Sequence, residues 1–116
     1  MEPQKEPQQA LRTVYVTFAE GRREAMLDRL RAFADANAFA IRIAPVTPDG
    51  QNLAIDMWRN DVKIFGDNDF SPYKFSISFY ENAEGRTAAI SSTDRLAEEL
   101  RQSLAEVEGA RSSFER

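Results

Sequence analysis

The sequence predicts an α+β fold, a two-layer sandwich. Its sheet is mainly antiparallel, with four to five strands and two helices on one face, in the order β-α-β-β-β-β-α. Three observations predict it. Several short segments alternate apolar and polar residues with period two. Two longer segments repeat apolar residues at three- and four-residue spacing. Each segment has only one apolar side, so the simplest burial places both helices against one face of one sheet.

Arg12 to Phe18 opens the pattern, with Val14, Val16 and Phe18 on one side and Thr13, Tyr15 and Thr17 on the other. Its β-branched and aromatic residues mark a strand, which Glu20-Gly21 ends. Arg22 to about Ala38 is predicted helical, because Met26, Leu27, Leu30, Phe33 and Ala34 form one stripe. Arg31 and Asp35 can pair on its outer side, and Asn37 suits its C-terminal cap.

Phe39 to Val46 returns to period two, with Ile41 and Ile43 inward and Arg42 outward. Pro45, Pro48 and Asp49-Gly50 then make a turn. Leu53, Ile55 and Met57 face inward on the next strand, with Asp56 and Trp58 opposite. The inward parity changes from odd to even at Val62 and Ile64. A tight turn at Asn60-Asp61 accounts for this change, followed by a short strand over 62–65.

Gly66 to Pro72 reads as a loop. Lys74 to Tyr80 is a strand with Phe75, Ile77 and Phe79 inward and Tyr80 outward. The last helix is expected to be capped by Thr93 or Asp94, to be buried through Leu96, Leu100, Leu104 and Val107, and to end at Gly109. Arg95 and Glu99 are spaced to support it. A ferredoxin-like plan needs one more strand after this helix, and residues 110–116 read as too few and too polar to supply it. The predicted core is Val14, Val16, Phe18, Leu30, Phe33, Ile55, Phe75, Ile77, Phe79, Leu100 and Leu104.

The 116 residues correspond to one domain. We assign residues 11–110 to it, residues 1–10 to a disordered tail or tether, and residues 111–116 to a frayed C-terminus. The leading MEPQKEPQQ is polar and Pro/Gln-rich, and does not supply a packing surface. No run reaches the roughly 18 apolar residues of a membrane helix, and no apolar segment of a signal peptide is expected.

Composition narrows the chemistry. The chain has no His and no Cys, which removes the commonest bases, nucleophiles and metal ligands, and all disulfides. Its net charge is −4, with 19 acidic and 15 basic residues interleaved. Without a basic stripe no nucleic-acid partner is expected.

Asp67 and Asp69 are weak candidates for a metal site, but they lie in a Gly66-Asp67-Asn68-Asp69 run that ordinary turns also use. Asp56 with Asp61, or Glu81 with Glu84, could form an acid–base pair if the fold brought them together. Lys63 or Lys74 could activate a serine such as Ser76. No cofactor motif is present.

The remaining signal is the polar face of the strands. Tyr15, Trp58 and Tyr80 share it with Arg42, Asp56 and Lys74, and aromatic residues with polar tips suit recognition.

The stretch Met57-Trp58-Arg59-Asn60-Asp61-Val62-Lys63-Ile64-Phe65-Gly66, followed by FSISFY over 75–80, resembles small uncharacterised bacterial envelope lipoproteins. That resemblance implies a periplasmic or cell-envelope location, with a possible lipid anchor in a full-length precursor. Cytoplasm is the alternative. The expectation is therefore a non-catalytic binding domain with a protein or cell-envelope component as partner. A small immunity or inhibitor protein is the second reading, and a hydrolase with a carboxylate site the third.

Overall fold

A computed structural model describes residues 10–68, 71–81 and 90–114. Of the proposed tail, residues 1–9 lie outside them, as do Asp69, Glu84 and the side chain of Glu81.

Eight elements follow one another: β1 (Arg12–Thr17), α1 (Arg23–Ala36), β2 (Ala40–Pro45), β3 (Leu53–Trp58), β4 (Val62–Asp67), β5 (Lys74–Glu81), α2 (Ile90–Ala105) and β6 (Arg111–Phe114). The fold is α+β, with one open sheet of six strands in the order β2-β3-β4-β5-β1-β6. Every neighbouring pair is antiparallel. β1 and β2 therefore run the same way with three strands between them, and α1 carries the chain across the sheet. β5 and β6 likewise straddle β1. These two split β-α-β units are the ferredoxin-like plan, widened by the hairpin of β3 and β4.

The inward side chains of five strands meet both helices in one core. Val14, Ile55, Phe75, Ile77 and Phe79 are fully buried there against Met26, Leu30, Leu100 and Leu104. All eleven predicted core residues are buried. Burying a side chain of this size contributes roughly 1.5–3 kcal/mol.

Local chemistry fixes the boundaries. Gly21 at φ +83° and the Arg22 N–H to Ala19 carbonyl bond (3.1 Å) turn the chain from β1 into α1. That φ needs a residue without Cβ, as in the third position of a type II turn. At its other end α1 closes in a Schellman motif. The Phe39 N–H reaches the Ala34 carbonyl at 2.9 Å, and Ala38 adopts φ +60°. The Phe33 and Phe39 rings stack at 5.9 Å across the motif. Asn37 contributes as expected, its side-chain amide donating to the Phe33 carbonyl at 3.0 Å. Between β3 and β4 the expected tight turn is present, closed by Arg59 N–H to the Val62 carbonyl at 3.1 Å.

Four expectations are corrected. First, the C-terminus is not frayed through Phe114. Arg111–Phe114 forms β6 beside β1, giving a sixth strand. Its polarity suits an edge: the Ser112 hydroxyl donates to the Arg101 carbonyl at 2.8 Å, and Phe114 packs under the Arg12 guanidinium at 4.1 Å. Second, β4 continues through Gly66 to Asp67. Gly66 lies between Ile55 and Ile77, where a Cβ would stand 3.0 Å from Ile77, so it permits close packing and does not break the strand.

Third, α2 starts at Ile90, one turn before Thr93, and Thr93 is buried within it. Fourth, Arg31 turns back to Asp28 at 3.0 Å in place of Asp35.

Candidate functional site

Strand phase determines the open face. β3 carries Asp56 and Trp58 on the side away from the helices, because Ile55 and Met57 occupy the core side. The Arg59–Val62 bond makes 59/62, 57/64 and 55/66 the hydrogen-bonded pairs of this hairpin. Trp58 with Lys63, and Asp56 with Phe65, are then the non-hydrogen-bonded pairs, whose Cα atoms are about 4.5 Å apart. These four side chains are held close together by the hairpin alone.

The neighbouring strands extend two rows across the face. One row runs Trp58, Lys63, Tyr80, and the other Arg42, Asp56, Phe65, Ser78. Between the rows lies a shallow groove of about 560 Å³, lined by Arg42, Asp56, Trp58, Lys63, Phe65 and Tyr80. Trp58 and Phe65 are 43% and 42% exposed, so large apolar rings face solvent. Tyr80 is half-buried at the end of its row.

The six residues proposed from the sequence are thus divided. Arg42, Asp56, Trp58 and Tyr80 line one groove. Tyr15 and Lys74 share the face but stand apart, Tyr15 between Ser76 and Ser113 and Lys74 opposite Thr17. Lys63 and Phe65 take their place in the groove. Phe65 could have been found by parity, since Val62 and Ile64 face inward. Lys63 needed the cross-strand register that puts it between Trp58 and Tyr80.

Among the described residues the carboxylates are distributed over separate elements. Asp56 stands opposite Arg42 in register. Asp61 lies in the hairpin turn, bound to the Arg59 Nε at 2.7 Å, and that hydrogen bond holds its carboxyl below the ordinary range. Arg59 also donates to the Asn37 carbonyl at 2.7 Å and lies over the Phe39 ring, so it ties the hairpin to the end of α1. Glu98 on α2 titrates at about 2, because Arg101 donates to it. Arg101 in turn lies 5.7 Å from the centre of the Phe114 ring, which also packs under Arg12.

Asp67 sits on the open face of β4, opposite Ala54 and Ser76. The adjacent Asn68 is buried and structural. Its amide donates to the Gln51 carbonyl (2.9 Å), the Ser71 carbonyl (3.0 Å) and Asn52 Oδ1 (3.2 Å), and its oxygen accepts the Leu53 N–H (3.1 Å). Among the described residues no three acidic groups converge as a metal site would require. Lys74 and Ser76 are successive open-face residues of β5, and neither lines the groove.

Charge is uneven over the molecule. The described open-face strand positions hold Arg42, Lys63, Lys74 and Arg111 against Asp56 and Asp67, whereas the whole chain carries −4. No protein-family model matches the chain, and no curated protein matches it. No described helix is long and apolar enough to cross a membrane.

Proposed function

We propose that this protein is a non-catalytic binding domain that recognises a protein or cell-envelope component through the groove of its open sheet face. The observation that carries this reading is the exposure of Trp58 and Phe65 side by side with Arg42, Asp56, Lys63 and Tyr80. Rigid aromatic rings beside charged groups supply both contact area and orientation, the combination that dominates binding hot spots. The cationic excess on this face of an acidic protein favours a partner that is acidic where it touches. The polar Pro/Gln-rich segment at residues 1–9 suits a tether, which favours a cell-envelope location for the domain.

A photo-crosslinking amino acid at Lys63, expressed in the organism that encodes this chain, tests this reading. The control carries the same group at Arg31 on the outer side of α1. The proposal expects a discrete adduct from position 63 and none from 31. A toxin or hydrolase in that adduct would point to an inhibitor or immunity role. Identical patterns from both positions would refute the assignment of the face.

A further inference from the structure

The sheet has two edges, and they differ. β6 is short, begins with Arg111 and is clasped by α2 through Ser112. β2 is six residues long, with sequence AIRIAP, and among the described strands it pairs on one side only. Its inward residues Ile41 and Ile43 are only partly buried, whereas the described inward residues of β3, β4 and β5 are buried. Natural sheets protect such an edge with Lys, Pro or a covering element. Among the described residues, the protective features within this strand are Arg42 and Pro45.

The phase of the edge follows from one bond. Val46 N–H donates to the Asn52 carbonyl at 2.8 Å, so the even-numbered residues of β2 bond to β3. The N–H and carbonyl groups of Ile41 and Ile43, and the carbonyl of Pro45, therefore point outward from the edge.

We propose that the β2 edge pairs antiparallel with the β2 edge of a second copy, joining two six-stranded sheets into one of twelve strands. The register that fits places Ile43 opposite Ile43 of the other copy and Ile41 opposite its Pro45. Both Ile43 N–H groups then bond to the facing Ile43 carbonyls, and both Ile41 N–H groups to the facing Pro45 carbonyls. The missing proline N–H falls at the two ends of this four-bond ladder, outside its centre. Arg42 faces Ala44 of the other copy across a close non-hydrogen-bonded pair. Slipping the register by one residue in each copy sets Arg42 against Arg42, which like-charge repulsion disfavours. The chosen register also covers both half-buried isoleucines and leaves the Trp58–Phe65–Tyr80 groove open.

Four main-chain bonds and a few apolar side chains make a small interface, so the dimer is transient at low concentration. A common membrane tether would strengthen it by raising effective concentration. Sedimentation velocity across a wide concentration range, with single-cysteine crosslinking, tests the proposal. The chain has no cysteine of its own, so Ile43→Cys and Val46→Cys each introduce one unambiguous thiol. A hydrogen-bonded antiparallel pair sets Cα atoms about 5.5 Å apart, within disulfide range. The expected result is reversible dimerisation, rapid oxidation of the Ile43→Cys variant to a dimer, and little crosslinking of Val46→Cys. Ala44→Glu should tighten the dimer by several-fold through the facing Arg42, and Ala44→Arg should loosen it. A protein that stays monomeric at the highest soluble concentration, or variants that crosslink equally at 43 and 46, would overturn the proposal.

Discussion

Replacing Asn68 with Ala tests how the end of the open face is held. The Asn68 side chain is buried and joins three segments: the loop before β3, the start of β3, and the turn at Ser71. Alanine removes the acceptor of the Leu53 N–H. Leu53 is buried, so water does not replace that acceptor, and an orphaned buried donor costs about 1–3 kcal/mol. Gln51 is exposed, and its released carbonyl rehydrates cheaply. Ser71 and Asn52 are half-buried and add a smaller increment.

The expected loss for Asn68→Ala is therefore about 2–3 kcal/mol, dominated by one stranded N–H. In urea the midpoint should fall by roughly 1–2 M with an unchanged slope. A loss below about 0.5 kcal/mol, the scale of a surface change, would refute the reasoning.

Asn68→Asp separates donor from acceptor. Its carboxylate keeps the Leu53 bond but turns a second oxygen toward the oxygens of Gln51, Asn52 and Ser71. The folded state then favours the protonated acid, so the folded pKa lies above the unfolded value near 4. The deficit relative to the parent protein should grow as pH rises from about 4 toward that higher value, and shrink again in acid.

The other predictions concern the core, a cap, a surface acid and the groove. Ile77→Ala, at the centre of β5, should cost about 2–5 kcal/mol in urea melts. Gly66→Ala should cost about 1–3 kcal/mol, because its Cβ would press on Ile77 Cγ1 at 3.0 Å. Ala38→Gly should raise stability by up to about 1 kcal/mol, since Ala38 holds φ +60° in the Schellman turn, and thermal melts will read it. Glu98 should titrate near 2 by carbon-detected NMR and move toward 4.5 in Arg101→Ala. Its stabilising effect is present above the unfolded pKa and lost as pH falls from about 4.5 toward 2. Trp58→Ala and Tyr80→Ala should each change folding stability far less than Ile77→Ala, while weakening partner binding by roughly 1–3 kcal/mol.

Much of this fold is legible in period and parity. The alternation of Val14-Val16-Phe18 and Phe75-Ile77-Phe79 allows one buried face, and the parity change at Asn60-Asp61 requires a turn. The misreadings share one cause, which is that composition does not reveal what a neighbouring element supplies. Arg111-Ser112-Ser113-Phe114 is polar, yet α2 provides a carbonyl for Ser112 and β1 provides a partner strand. Gly66 looks like a loop residue until Ile55 and Ile77 are seen to close over it. The site is half-legible for the same reason. Parity puts Trp58, Phe65 and Tyr80 on one face, but only the register of β3, β4 and β5 separates them from Tyr15 and inserts Lys63 between Trp58 and Tyr80.

Trp58 is the only tryptophan in the chain, so its fluorescence tests the central claim most directly. With 43% exposure, its emission in the free protein should resemble that of solvated indole, and acrylamide should quench it readily. Addition of the partner identified by crosslinking at position 63 should shift the emission to the blue and protect it from quenching. A blue-shifted, protected Trp58 in the free protein, or an emission that the bound partner leaves unchanged, would contradict the assignment of the open face as the binding surface.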